Sequence, residues 1–165
     1  MSARMITSQH ADLLDAMTLI WTEAELLDQR AYDAWIALWD PHGLYVIPID
    51  PDVEDFANTL NYLHDNDEMR RARVARLKSH HSMSATSAAR TARTVSRFRV
   101  VDASPSAITI RCAQHLVESK RGIERTYAAE VTFILRRSDD GLLIDQKVVR
   151  LINSMDALGG VAYLF

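Results

Sequence analysis

Residues Leu26–Ile49 read LLDQRAYDAWIALWDPHGLYVIPI and contain a helix end, a second short helix, a stop and a first strand. Tyr32, Trp35, Ile36 and Trp39 stand at i, i+3, i+4 and i+7, which places them on one apolar face of a helix. Asp40-Pro41-His42-Gly43 is expected to stop that helix, because proline lacks the amide donor and glycine accepts positive φ. Leu44–Ile49 then reads as a short apolar strand bounded by Pro48 and Asp50-Pro51.

Upstream, Leu13, Met17, Ile20, Trp21, Ala24 and Leu27 mark a first helix, with Thr7 or Ser8 as its expected cap. Downstream, Asp52–Asn58 is a polar connection and Thr59–Leu63 a brief strand. Asp67–Lys78 reads as a basic third helix, and Ser79–Ala92 as a loop of small residues. Four long strands are expected over Thr94–Val101, Ala107–Ser119, Glu124–Arg137 and Leu142–Asn153. The turn formers Ser104-Pro105, Gly122 and Asp139-Asp140-Gly141 separate them. Alternation is clear in the third, where Tyr127, Ala129, Val131, Phe133 and Leu135 share a face; in the fourth, Leu142, Ile144 and Val148 share theirs with Gln146 and Arg150. Helices on a long, curved antiparallel or mixed sheet make an α+β fold. With 165 residues and no internal repeat, a single domain over 1–165 is expected.

No apolar run approaches the roughly 18 residues of a membrane span, and MSARMITSQHADLLD lacks a secretory apolar core. A lone cysteine, Cys112, fits a reducing, cytoplasmic setting. Charge is unevenly placed. Residues 1–68 carry fourteen acids against Arg4 and Arg30, whereas 69–101 carry nine bases and no acid. Pairing within the chain or between subunits, or a solvated basic face, accounts for this better than nucleic acid, since no recognition motif accompanies the bases.

Glu23, Ala24, Leu26, Leu27, Asp28, Arg30, Tyr32, Trp35, Leu38, Trp39, Gly43, Tyr45 and Pro48 follow, without a gap, a pattern that resembles the small (beta) subunit of aromatic-ring-hydroxylating dioxygenases, the multi-component Rieske non-haem iron enzymes. Leu63-His64-Asp65, Arg73-Val74-Ala75-Arg76-Leu77, Arg90-Thr91, Val95–Val100 and the segment Ile152–Phe165 extend the likeness over nearly the whole chain. Departures include His64 where the family has Tyr, Ala92 for Arg and Arg97 for Asn. The resemblance implies the cone fold of nuclear transport factor 2, shared with ketosteroid isomerase, scytalone dehydratase and polyketide cyclases. It also implies a non-catalytic structural subunit in a ring of three large and three small subunits, dihydroxylating an aromatic compound with electrons from NADH. The Rieske 2Fe–2S cluster and the mononuclear iron would then sit in the large partner subunit, and this chain would hold no cofactor or metal. Arg90, Arg93, Arg97 and Arg99 are the expected subunit contacts, because an acid-free stretch beside acid-rich sequence suits complementary surfaces.

The residues leave other functions open. A Rieske cluster needs two cysteines and two histidines, which Cys112 alone excludes. His80-His81 is the only cluster among six histidines, and no metal site is expected from it. The rival reading is a stand-alone cone-fold isomerase, dehydratase or cyclase using acid–base chemistry. Its candidates are His64 with Asp65, Asp33, Tyr32 and His115. The favoured reading of Asp65, Asn66 and Asp67 is that they open the third helix, with their negative charges against its positive dipole end. Trp21, Tyr32 and Trp35 could line a hydrophobic pocket or belong to the core. A ligand-binding domain without chemistry is the third reading. Cys112 alternates with Ile108 and Ile110 and reads as a buried, inert thiol.

Overall fold

The first helix, α1 (Ala3–Asp28), begins upstream of the expected Thr7 or Ser8 cap in this computed structural model. The structure describes residues 3–83, 89–156 and 164–165, with side chains over 12–79, 89–156 and 164–165. Ala16, Ile20, Glu23, Ala24 and Leu27 form the buried stripe of α1, and Trp21 lies at its margin, 48% exposed. Arg30, in the left-handed region at φ 58°, closes the helix while the Ala31 N–H bonds Leu26 O at 2.8 Å, the geometry of a Schellman cap.

α2 (Tyr32–Ala37) is shorter than its apolar spacing implies. Trp39 belongs instead to β1 (Trp39–Pro48), where it pairs with Ile144. The Asp40–Gly43 stretch is thus a bulge inside a strand rather than a helix stop, and the register to β6 shifts between Trp39 and Leu44. Asp40 Oδ1 accepts the His42 N–H at 2.8 Å and holds the bulge. Gly43 is needed for closeness rather than for positive φ: a Cβ there would lie 2.8 Å from Ile144 O and 3.0 Å from Asp40 O.

A 3₁₀ turn at Phe56–Asn58 leads to β2 (Asn61–Asp65), two residues later than expected. Asn66 caps α3 (Asp67–Met83) by accepting the Met69 N–H at 3.0 Å. The helix takes in Ser79–Met83, read from sequence as loop, since neither glycine nor proline interrupts it there. β3 (Arg90–Ala103) takes in Arg90–Ala92 through pairing with Ser119, Glu118 and Val117. Residues 84–88 of that expected loop lie outside the described residues.

β4 (Ala107–Lys120), β5 (Ile123–Ser138) and β6 (Gly141–Leu151) follow within a residue or two of expectation. The six strands form one curved sheet in the order β2-β1-β6-β5-β4-β3. It is mixed: β1 runs parallel to β6, and every other pair is antiparallel. Helix α1 packs on its inner face, where Tyr45, Ile110, Cys112, Leu116, Val131, Phe133 and Leu135 are buried with Ile20 and Trp35. A bulge in β6, where Leu135 faces Ile144 but Ile134 faces Gln146, changes which side chains point inward. Beyond it Lys147, Val149 and Leu151 face the core, in place of the expected Val148 face.

Lys120 pairs with Ile123 across Arg121 and Gly122, both at positive φ, the pattern of a type I′ hairpin. Arg121 at φ 53° bears the side-chain strain of the left-handed region. Arg121→Asn is expected to stabilise the fold by about 1 kcal/mol, read as a rise of a few degrees in Tm by calorimetry.

Candidate functional site

The bulge in β6 delivers a lysine to the inner face of the sheet. Lys147 has no exposed surface, and its Nζ donates to Glu23 Oε1 at 2.7 Å and to the main-chain oxygen of Phe165 at 2.6 Å. Glu23 comes from the buried stripe of α1, and its Oε1 also accepts the Trp35 Nε1–H at 2.8 Å. Its Oε2 is buried with no hydrogen-bond partner among the described atoms. Tyr45, on β1, donates its hydroxyl to the Phe165 oxygen and accepts the Phe165 N–H, each at 2.9 Å. The Phe165 ring meets Tyr127 edge-on at 5.3 Å, and Arg93 donates to Leu164 O and to Asp28.

Electrostatics follow from burial. Desolvation pulls the Lys147 ammonium below the ordinary lysine range, opposed by the Glu23 charge beside it. Burial pushes the Tyr45 phenol well above its ordinary value, and the Glu23 charge adds to the rise. Tyr32 is raised as well, chiefly by burial. Two of the three Lys147 donors are taken by Glu23 and Phe165.

A second polar cluster fastens α3 to the bulge of β1. Arg70, wholly buried, stacks 4.2 Å over the Trp39 ring and donates to the Gly43, Asp65 and Asp40 carbonyls. Burial lowers its pKa despite the nearby carboxylates of Asp67 and Asp65. Asp40 is held below the usual carboxylate range by the His42 N–H and by Arg136.

The acid–base candidates are dispersed. Asp65 is buried and bound in two bonds by Arg73, at 2.6 and 3.0 Å, an arrangement that raises the Arg73 pKa. His64, next to it in β2, points to the opposite side of the sheet. Asp33 is exposed and paired with Lys78 at 2.6 Å, and His115 is exposed on β4. Of the expected pocket-lining residues, Trp35 and Tyr32 are buried in the core, whereas Trp21 packs edge-on against Phe98 at 5.5 Å and bonds Val95 O. A groove of about 520 Å³ lies apart from them, between Asp12–Leu13 of α1 and Val100–Ala103 of β3.

Most of the basic segment finds acids from the first part of the chain: Arg71 and Arg70 meet Asp67, Arg73 meets Asp65, Lys78 meets Asp33, and Arg93 meets Asp28. Arg93 is nearly fully buried, while Arg90, Arg97 and Arg99 are exposed along β3. Among the described residues no group of three or more His, Cys, Asp or Glu side chains is placed to hold a metal ion. Cys112, buried against Val131 O with its thiol pushed up to about 12, does not fit an iron–sulfur cluster. No helix among the described residues is long and apolar enough to cross a membrane.

Sequence reading missed Lys147 and Arg70 as buried charges. Glu23 carried a signal, since it interrupts the apolar stripe formed by Ile20, Ala24 and Leu27. Lys147 carried none, because its inward turn depends on the β6 bulge.

A family model described as "Ring hydroxylating beta subunit" matches residues 22–156. The 2-halobenzoate 1,2-dioxygenase small subunit of Burkholderia cepacia is 28% identical over 155 residues, covering 91% of this chain and 94% of that one. In three dimensions the chain is similar to the beta subunit of the benzoate 1,2-dioxygenase of Burkholderia mallei, with TM-score 0.78 at 22% identity over 92% of this chain and 96% of that one. It is also similar to a nuclear transport factor 2-like protein with a cystatin-like fold from Novosphingobium aromaticivorans, with TM-score 0.63 at 15% identity over 92% and 91%.

Two outcomes test the buried cluster. Lys147→Met leaves the Glu23 charge buried without its counter-ion and is expected to cost about 3–5 kcal/mol; adding Glu23→Gln should recover a large share of that loss in urea denaturation. For Cys112, the folded pKa lies above the ordinary thiol value. Its contribution to stability is therefore complete below pH about 9 and lost as pH rises through about 12. A thiol reagent at neutral pH should label Cys112 only after denaturant is added.

Proposed function

The chain belongs to the ring hydroxylating beta subunit family, and from that membership we propose that it is the structural, non-catalytic small subunit of an aromatic-ring-hydroxylating dioxygenase. Its partner is the large subunit, which would carry the Rieske cluster and the mononuclear iron. Its own role is to hold large subunits in register within a ring of three large and three small chains. Electrons from NADH and the aromatic substrate belong to the chemistry of that complex.

The observation that carries this reading is the filling of the cone. Enzymes of such folds need an acid or base facing an accessible cavity. Here the corresponding interior is occupied by the Glu23–Lys147 pair, Trp35, Tyr45 and Phe165. The acidic candidates are engaged elsewhere, Asp65 by Arg73 and Asp33 by Lys78. A filled interior favours a scaffold over a catalyst.

The contact surface is β3. Among the described residues it is an edge strand of the sheet, and it carries exposed Arg90, Arg97 and Arg99. Arg93 supports the same strand from inside through Asp28. One cytoplasmic domain over 1–165 completes the proposal.

Affinity purification of the tagged chain from its native cells, followed by intact-complex mass spectrometry, tests the assignment. Equal copies of a larger iron–sulfur protein are expected; recovery of a homo-oligomer alone would overturn it. Replacing Arg90 and Arg99 with Glu should lower the yield of that complex while leaving the Tm of the isolated subunit within about 1 °C, since exposed substitutions change stability little.

A further inference from the structure

We infer that the inner face of the sheet is a binding site for an arylpropanoyl group, a ring joined through two carbons to a carbonyl or carboxylate oxygen, and that Phe165 occupies it from within the chain. This goes beyond the proposed subunit role and does not depend on it. The site reads Phe165 by features that any such group would carry. Tyr127 meets the ring at 5.3 Å, edge to face. Lys147 Nζ and the Tyr45 hydroxyl converge on the oxygen at 2.6 and 2.9 Å. Arg93 takes the preceding Leu164 oxygen.

These recognition groups are built into the fold rather than gathered at a surface. Lys147 and Tyr45 have no exposed surface, and the Arg93 side chain is 1% exposed. Each is anchored on a different strand, so the constellation is set by the sheet. The occupant leaves polar capacity unused: Glu23 Oε2 is buried and without a hydrogen-bond partner among the described atoms. A ligand with a donor beside its oxygen would meet both ends of the Glu23–Lys147 pair.

Phe165 is covalently attached and therefore present at high effective concentration, so a free ligand competes poorly with it. Removing residue 165 takes away both its ring and the main-chain oxygen that Lys147 and Tyr45 hold, and with them that competition. In the chain ending at Leu164, 3-phenylpropionate at millimolar concentration is expected to raise the thermal midpoint, and to leave that of the unmutated chain unchanged. Propylbenzene, which has the ring but not the oxygen, should bind roughly tenfold more weakly, the factor carried by about one charge-assisted hydrogen bond. Adding Lys147→Met with Glu23→Gln should erase that preference. Equal binding of the two probes would reduce the site to an apolar hollow and overturn the inference, as would no shift with either. Where the chain without Phe165 is unfolded, the same titration is read as recovery of the folded circular-dichroism signal, and no recovery is the overturning result.

Discussion

A lysine ammonium sealed inside the protein is the constraint around which the rest is arranged. Moving such an ion out of water costs several kcal/mol, and the cost is offset only where a counter-ion and further acceptors are held in good geometry. Glu23 must therefore stay on the inner face of the sheet, which sets the rotation of α1 about its axis. Trp35 bonds the same carboxylate oxygen, so α2 is placed by the same pair. The Phe165 oxygen satisfies another lysine donor, and Tyr45 joins Phe165 to β1. Helices, sheet and Phe165 thus share one electrostatic centre, and a displacement of any of them leaves a buried charge poorly solvated.

Around this centre the uneven charge of the chain resolves into pairing at short range. The acids of the first part lie beside the bases of α3 and β3, with Asp65 on Arg73 and Asp28 on Arg93. Arg70 goes further and enters the interior, where Trp39 and three backbone carbonyls replace water around it. What remains is Arg76 on α3 and a small set of arginines along β3, of which Arg97 lies 3.4 Å from Glu130 on β5. Positive charge on an edge discourages indiscriminate strand addition and favours a partner with matching acids. The surface properties of a subunit and the internal stability of the chain therefore draw on the same basic segment.

The curved sheet with helices on its inner face is compatible with many activities, so the fold does not choose among them. In this chain the interior holds a buried ion pair, with Lys147 committed to Glu23 and Phe165. That arrangement accords with the assembly role proposed above.

Sequence by itself determined the class of fold and the family. The faces of α1 and α2, the alternation along β5 and the turns at Gly122 and Gly141 are periodic or local signals, and the residues from Glu23 to Pro48 carried the resemblance. Such signals need no knowledge of distant residues. Tertiary structure decided the rest. Trp39 left its helical spacing because pairing with Ile144 drew it into β1. Ser79–Met83 continued α3, and Arg90–Ala92 were recruited by β4. Lys147 turned inward because a bulge changed the parity of β6, and Glu23 became its counter-ion from more than a hundred residues away. Strand register, bulges and buried ion pairs take their energies from partners remote in sequence, and no local pattern records which partner will arrive.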